Sequence, residues 1–123
     1  MTDPRHALGL AAEDATAEWL AANGWRVVSR RHRGSGGGEV DLIAIDPGDI
    51  LVALEVRARR SRRAGDAAAS VDARRVARLR RTLASVAGSG STPHRGLRVD
   101  LVTAEPVAGQ AGRWRLLRFA GIG

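Results

Sequence analysis

Apolar residues recur at helical spacing near the start of the chain. Over residues 5–22, Leu8, Ala12 and Trp19 fall on one face of a helix. Gly24 follows at a position where helices often end in a residue of positive φ. The pattern therefore predicts a first helix that ends just before Gly24.

The next part of the chain has the character of strands. β-Branched residues in 25–29 predict a short strand, and an arginine-rich run then leads into the glycine-rich segment 34–38, for which we expect a loop. Residues 39–45 and 50–56 are two strongly apolar runs, joined by the turn sequence DPGD at residues 46–49. These two runs predict a β-hairpin.

After the hairpin the pattern becomes helical again, from about residue 70 to Gly88. One face of this second helix is apolar, formed by Val76, Leu79, Leu83 and Val86. Residues 97–103 then predict a buried strand, and residues 113–119 predict an edge strand. The predicted order of elements is α-β-β-β-α-β-β, which indicates an α/β fold.

Composition limits the class of protein. The chain has 123 residues, 44% of them hydrophobic and 27% charged, which is enough apolar material for one core. We expect residues 1–123 to form a single domain. The absence of cysteine excludes disulfides and thiolate metal sites. Because no apolar run approaches the length of a membrane span and the N-terminus lacks a signal-peptide pattern, we expect a cytoplasmic protein with no membrane partner.

The charge of the chain indicates a class of partner. The net charge is +7, and all 20 basic residues are arginine. GC-rich coding DNA explains the missing lysine as well as selection for phosphate-binding guanidinium groups does, and both explanations stay open. A basic domain of this size attracts polyanions, of which nucleic acid is the commonest.

Two carboxylates interrupt the apolar runs of the predicted hairpin. Asp41 lies between Val40 and Leu42, and Glu55 lies in a run that is apolar on both faces. An unpaired charge there would be costly. One solution is a divalent cation held between the two carboxylates, and magnesium is the obvious candidate. The other is a buried salt bridge, in which Glu55 pairs with Arg57 or with an arginine of the second helix.

Several sequence blocks resemble those of the YraN family of small bacterial proteins. The blocks occur in the family's order and run from about residue 6 to residue 103. They are GLAAE at residues 9–13, GEVDLIA at 38–44, LEVRAR at 54–59, VDARR at 71–75 and LRVDLV at 97–102. Ordered blocks at the right spacing are far more specific than one short motif.

The resemblance implies a restriction-endonuclease-like fold, a mixed sheet flanked by helices that is similar to archaeal Holliday-junction resolvases. It implies that Asp41, Glu55 and the backbone carbonyl of Val56 bind Mg²⁺ or Mn²⁺, and that Glu13 completes the acidic set. It also implies a single nuclease-like domain and a homodimer. Residues 104–123 lie beyond the part of the chain that the resemblance covers.

Arg57 departs from the family pattern, which has a lysine at this position. A guanidinium with a pKa above about 12 cannot act as a base at neutral pH, although it can stabilise negative charge. Two functions therefore remain open. The first is a metal-dependent endonuclease acting on structured or branched DNA, with Asp41, Glu55, Arg57 and Glu13 as catalytic residues. The second is a catalytically impaired nucleic-acid-binding protein that retains the nuclease fold.

Three arginine groups are candidates for contact with duplex or branched DNA. Stacking on single-stranded bases is not expected, because the few aromatic residues lie in periodic segments that favour core packing. Contact with the phosphate backbone fits better. The three groups are Arg30, Arg31 and Arg33; Arg57, Arg59, Arg60, Arg62 and Arg63; and Arg74, Arg78 and Arg81.

Overall fold

The computed structural model describes residues 3–34, 38–59 and 71–122. The elements in these residues follow the predicted order, α-β-β-β-α-β-β. They are α1 (Pro4–Ala22), β1 (Arg26–Arg33), β2 (Glu39–Ile45), β3 (Ile50–Ala58), α2 (Ala73–Gly88), β4 (Gly96–Pro106) and β5 (Trp114–Phe119).

The five described strands form one mixed sheet in the order β1-β2-β3-β4-β5. β3 and β4 are parallel, and the other neighbouring pairs are antiparallel. A parallel pair needs a crossover connection, and α2 lies in that crossover. The mixed sheet flanked by helices that we expected is thereby confirmed.

Within the described residues, α1 packs on one face of the sheet and α2 on the other. Side chains alternate between the two faces along the central strands, so both faces carry apolar residues. On one face Leu20 of α1 packs with Leu42 and Leu54. On the other face α2 packs through buried leucines against the alternate residues of the same strands. The second cluster includes Leu79, Leu83, Ile43, Leu51 and Ala53.

Aspartates cap both helices and set where they begin. The side chain of Asp3 accepts a hydrogen bond from the N–H of Arg5 at 2.9 Å, and Pro4 follows the cap. Asp72 accepts from the N–H of Arg75 at 2.8 Å, so α2 begins at Ala73 rather than near residue 70. Neither helix in the described ranges is long and apolar enough to cross a membrane.

Three strands are longer than predicted, and β3 extends two residues further, to Ala58. β1 continues to Arg33 because β2 pairs with it, with His32 opposite Val40 and Arg33 opposite Glu39. The arginines that we expected to lead into a loop are therefore strand residues. β4 likewise continues to Pro106, which lies opposite Trp114 of β5.

A buried ion network attaches β5 to the rest of the sheet. Asp100 on β4 is fully buried and accepts from Arg98 at 2.7 and 3.0 Å, from Arg118 at 3.0 Å and from the N–H of Gly121 at 3.0 Å. The guanidinium groups of Arg98 and Arg118 lie 5.9 and 5.2 Å from the centre of the Trp25 ring. The residues beyond the family resemblance are thus held by charge as well as by strand pairing.

Candidate active site

Asp41 and Glu55 lie side by side where β2 and β3 separate. The ladder between these strands extends to the pair Leu42–Leu54, and Asp41 and Glu55 are the next residues on either side. There the Asp41 carboxylate accepts a hydrogen bond from the N–H of Val56 at 2.8 Å. The carboxylate takes the place that a backbone carbonyl of β2 would have in a continued ladder. The side chain of Asp41 is therefore fixed at the open end of the hairpin.

The two carboxyl groups share a hydrogen bond, and their pKa values move in opposite directions. Burial raises the pKa of Asp41 to about 8, and the hydrogen bond and negative charge of Glu55 add to the rise. Burial also acts to raise the pKa of Glu55, but hydrogen bonds from Arg75 and Asp41 hold that pKa below its ordinary value. The two carboxyl groups therefore titrate as a coupled pair, in which Asp41 holds its proton more tightly than Glu55 does.

Arg75 of α2 supplies the positive charge next to Glu55. Its Nε donates to Glu55 Oε2 at 2.6 Å, and its Nη2 lies 3.3 Å from Glu55 Oε1 and 2.7 Å from the carbonyl oxygen of Glu39. The side chains of Arg75 and Glu55 are 21% and 6% exposed, so the pair is shielded from water. The salt bridge from the second helix, one of our two alternatives for Glu55, is confirmed.

Arg75 was missing from the predicted site. Helical spacing had grouped Arg74, Arg78 and Arg81 on the polar side of the second helix, and it gave no reason to separate Arg75 from them. The available signal was the VDARR block, in which Asp72 caps the helix and thereby fixes the first turn against the sheet.

Arg57 occupies the same face of β3 as Glu55, two residues further along the strand. The side chain is half-buried, and its charge contributes to the lowered pKa of Glu55. Its Nε is buried and has no hydrogen-bond partner within the described part of the chain. Arg57 thus brings a second positive charge to the carboxylate pair without being tied to it.

Glu13 approaches the site from α1. Its side chain is 12% exposed, and its Oε1 lies 3.6 Å from Nε of Arg31. Burial raises the pKa of Glu13, and its charge in turn helps to raise the pKa of Asp41. Within residues 3–34, 38–59 and 71–122, no three His, Cys, Asp or Glu side chains are spaced to hold a metal ion. Glu13 therefore influences the carboxylate pair from a distance.

The chemistry of the carboxylate pair fits a hard divalent cation. Mg²⁺ takes oxygen ligands and usually binds through one or two carboxylates, with water or phosphate oxygens completing its shell. Asp41 and Glu55 can supply two such ligands. Because the N–H and C=O of a strand residue point to the same neighbouring strand, the Val56 carbonyl faces the side on which its N–H meets Asp41.

The three β1 arginines that we predicted to contact DNA lie close to acidic side chains. Arg30 forms an ion pair with Asp14, and Arg31 pairs with Glu13 as described above. Arg33, whose side chain is 87% exposed, lies 3.8 Å from the Glu39 carboxylate. All three predicted residues therefore lie on the edge strand next to β2.

The other predicted arginines fall into separate environments. Arg74 and Arg81 are exposed on α2, whereas Arg78 is half-buried and faces Gly38. Arg59 follows the end of β3. Arg60, Arg62 and Arg63 lie outside the described residues. Helix α2 thus turns Arg78 toward Gly38 and keeps Arg74 and Arg81 in solvent.

Two glycines, one after β1 and one before β2, lie against side chains of α2. A Cβ added to Gly34 would lie 2.3 Å from Oγ1 of Thr82, which is buried on α2. A Cβ on Gly38, whose φ is +81°, would lie 3.5 Å from Nη1 of Arg75 and 4.0 Å from Nη1 of Arg78. One row of α2 side chains therefore rests on the backbone at both ends of the glycine-rich segment.

The sequence is similar to a group of curated bacterial proteins. Residues 12–104 match the profile of the uncharacterised protein family UPF0102. A UPF0102 protein of Symbiobacterium thermophilum is 42% identical over 116 residues, which cover 92% of this chain and 94% of that protein. One from Bordetella avium is 43% identical over 112 residues, covering 91% and 74%. One from Deinococcus radiodurans is 38% identical over 117 residues, covering 92% and 91%. The chain therefore belongs to the UPF0102 family, the YraN family that its sequence blocks resemble.

Proposed function

We propose that the protein hydrolyses phosphodiester bonds in structured or branched DNA with the help of Mg²⁺ or Mn²⁺. The observation that carries this proposal is the contact between Asp41 and Glu55, two carboxyl groups held together at the end of a hairpin and surrounded by arginine. Two carboxylates so close favour a cation between them.

Each residue of the site has a role in this proposal. Asp41, Glu55 and the carbonyl of Val56 would hold the metal. When bound, the metal activates water and neutralises charge on the phosphate. Arg57 stabilises negative charge on the phosphate, since a guanidinium cannot accept a proton at neutral pH. Glu13 acts on the pair electrostatically, through the pKa of Asp41.

The basic surface supports a nucleic-acid substrate. The chain carries a net charge of +7, and Arg57 of β3 and Arg75 of α2 both act on the Glu55 carboxylate. One guanidinium group can donate two parallel hydrogen bonds to the oxygens of a phosphate. Such contacts give affinity for DNA that does not depend on the base sequence. Binding to DNA should therefore weaken steeply as salt rises, because each phosphate contact releases counterions.

A second candidate function is binding to nucleic acid without cleavage. The observation that favours it is the ion pair between Arg75 and Glu55, which already supplies the buried carboxylate with a positive charge. Arg57 in place of lysine points in the same direction. In this case the carboxylates would maintain the fold, and the arginines alone would contact the phosphate backbone.

Cleavage assays separate the two functions. The purified chain is incubated with Mg²⁺ or Mn²⁺ and labelled linear, flapped and four-way DNA, together with the variants Asp41→Asn and Glu55→Gln. Asp49→Asn, in the exposed turn between β2 and β3, is the matched control. We expect cleavage by the native chain and by the control, and loss of cleavage in the two site variants. A native chain that binds DNA but cuts none of these substrates with either metal would establish the second function.

A further inference from the structure

The side of Gly38 that lacks a side chain faces two guanidinium groups. Nη1 of Arg75 and Nη1 of Arg78 lie 3.5 and 4.0 Å from the point where a Cβ would stand. Arg75 uses Nε and Nη2 to bind Glu55 and the carbonyl of Glu39, so Nη1 is its remaining nitrogen. Gly38 thus lies against the guanidinium group of Arg78 and that of Arg75, the arginine that binds Glu55.

Two arginines at this place have buried donors without partners. Nε of Arg57 and Nε of Arg78 are shielded from solvent, and neither has a hydrogen-bond partner in residues 3–34, 38–59 and 71–122. Buried donors in folded proteins almost always have a partner, and an exception calls for an explanation. An anionic ligand that enters the site would provide the missing acceptor oxygens.

The local balance of charge also favours an anion. Glu55 is neutralised by Arg75 at 2.6 Å, whereas Arg57 and Arg78 form no ion pair within the described residues. A phosphodiester group carries one charge spread over two oxygens, and forked guanidinium donors match that geometry.

We propose that Arg57, Arg78 and Nη1 of Arg75 form a binding subsite for one phosphodiester group of nucleic acid, beside Gly38. This subsite rests on the proposed function, because it places the phosphate beside the carboxylates that would hold the metal. It assigns Arg78 to the reacting phosphate, whereas Arg74 and Arg81 on the outer side of α2 can reach only more distant phosphates.

Binding measured without metal tests the subsite separately from catalysis. A short labelled DNA duplex is titrated in EDTA at moderate salt with the native chain, Arg57→Gln and Arg78→Gln. Arg115→Gln, which removes the same charge from exposed β5, is the control. We expect each site variant to lose about tenfold to hundredfold in affinity, the scale of one hydrogen bond to a charged group. The control should bind like the native chain.

A second readout locates the anion. In ¹⁵N spectra of the arginine Nε–H groups, the signals of Arg57 and Arg78 should move when duplex is added, and the signal of Arg115 should not. Inorganic phosphate is titrated in parallel. Movement with inorganic phosphate but not with duplex would overturn the assignment to a phosphodiester, since the site would then accept only small free anions.

Gly38→Ala provides a variant that leaves every charge in place. The added methyl group fills the space between Arg75 and Arg78, so duplex affinity should fall even though the net charge is unchanged. Its φ of +81° strains alanine, so the folded fraction is checked by circular dichroism and affinity is computed on folded protein.

The failures of the two proposals are distinguishable. The subsite is wrong, whatever the cleavage assay shows, if Arg57→Gln and Arg78→Gln both bind duplex like the control and the Nε–H signals of Arg57 and Arg78 in the native chain stay fixed. If the subsite binds duplex as expected but no metal supports cleavage, the subsite stands and the nuclease function falls.

Discussion

Arg75 and Glu55 form a two-point ion pair, with Nε 2.6 Å from one carboxylate oxygen and Nη2 3.3 Å from the other. The arginine comes from α2 and the glutamate from β3, so the pair also joins the helix to the sheet. Arg75 thus provides the positive charge that a metal would otherwise bring to Glu55. In the proposed metal-dependent function, a bound cation would therefore compete with Arg75 for Glu55.

Replacing Arg75 should destabilise the protein and increase its response to metal. In Arg75→Ala the buried carboxylates lose their positive partner, and a broken buried ion pair typically costs about 3–5 kcal/mol. We expect a lower Tm in EDTA, and a larger rise in Tm on adding Mn²⁺ than the native chain shows. Thermal unfolding with and without metal measures both effects.

Arg74→Ala is the control for this experiment, because Arg74 is exposed on the same turn of α2. Its Tm should stay close to the native value in both conditions. A Tm of Arg75→Ala that is as insensitive to metal as that of the native chain would contradict competition for Glu55.

Substituting lysine for Arg57 should raise metal-dependent cleavage. The compact ammonium of lysine can approach both the phosphate and the attacking water, whereas the planar guanidinium stays protonated and cannot accept a proton at neutral pH. Groups that position water or transfer protons are worth about 10² to 10⁴ in rate, so partial restoration would be visible. Single-turnover cleavage by the native chain, Arg57→Lys and Arg57→Ala measures the effect. A rate that falls in both variants would instead show that the site has adapted to arginine.

Gly34 should be intolerant of any side chain. In Gly34→Ala the new Cβ would stand 2.3 Å from Oγ1 of Thr82, and overpacking of this kind costs about 1–3 kcal/mol. We expect most of this cost to disappear when Thr82→Ala is combined with it. Urea unfolding of the two single variants and the double variant gives the coupling energy.

Gly9→Ala is the matched control, since nothing lies within 4 Å of a Cβ at that position in α1. Because alanine favours the helix, Gly9→Ala should stabilise the protein by about 0.5–1 kcal/mol. If Gly34→Ala lowers the free energy of unfolding by the same amount with and without Thr82→Ala, the contact between Gly34 and Thr82 is not the cause of the lost stability.

Asp46 should contribute stability that depends on pH. Burial acts to raise the pKa of Asp46, but hydrogen bonds from the N–H of Ile50, from Arg98 and from the N–H of Gly48 hold it below the ordinary value of 3.8. A lowered folded pKa stabilises the protein above the unfolded pKa, and this stabilisation is lost as pH falls through the folded pKa.

Asp46→Asn measures this contribution. At neutral pH the variant should be less stable than the native chain by about 1–3 kcal/mol, the scale of hydrogen bonds to a charged group. The gap should narrow as the pH falls below 3.8, the ordinary pKa of Asp46. Urea unfolding at several pH values gives the profile, with Asp49→Asn in the same turn as the control. A gap that stays constant with pH would exclude the charge of Asp46 as its source.

The order of elements and the position of the hairpin could be predicted because they depend on local patterns. Leu42 and Leu54 lie in apolar runs that end at a DPGD turn, and Val76 and Leu79 recur at helical spacing. The ends of strands were harder to predict. Arg33 belongs to β1 because it pairs with Glu39 of β2. The strand propensity of residues 25–33 alone does not reveal that pairing.

The two carboxyl groups of the site could be predicted, and so could a salt bridge from the second helix, but not which of its arginines binds Glu55. Asp41 and Glu55 interrupt apolar runs, and the hairpin turn between them fixes their register. The choice of Arg75 over Arg78 depends on the rotation of α2 against the sheet. That rotation is set by packing between distant residues, such as Thr82 on Gly34.

The buried ion network around Asp100 changes how β5, at the edge of the sheet, separates from β4 in local unfolding. Edge strands near a chain end usually fray first and exchange their amide hydrogens through small local openings. Detaching β5 would take Arg118 and the N–H of Gly121 away from a carboxylate that is fully buried behind it. Since that loss is costly, β5 is coupled to β4, and its paired amides should exchange hydrogen at the slow rate of the central sheet.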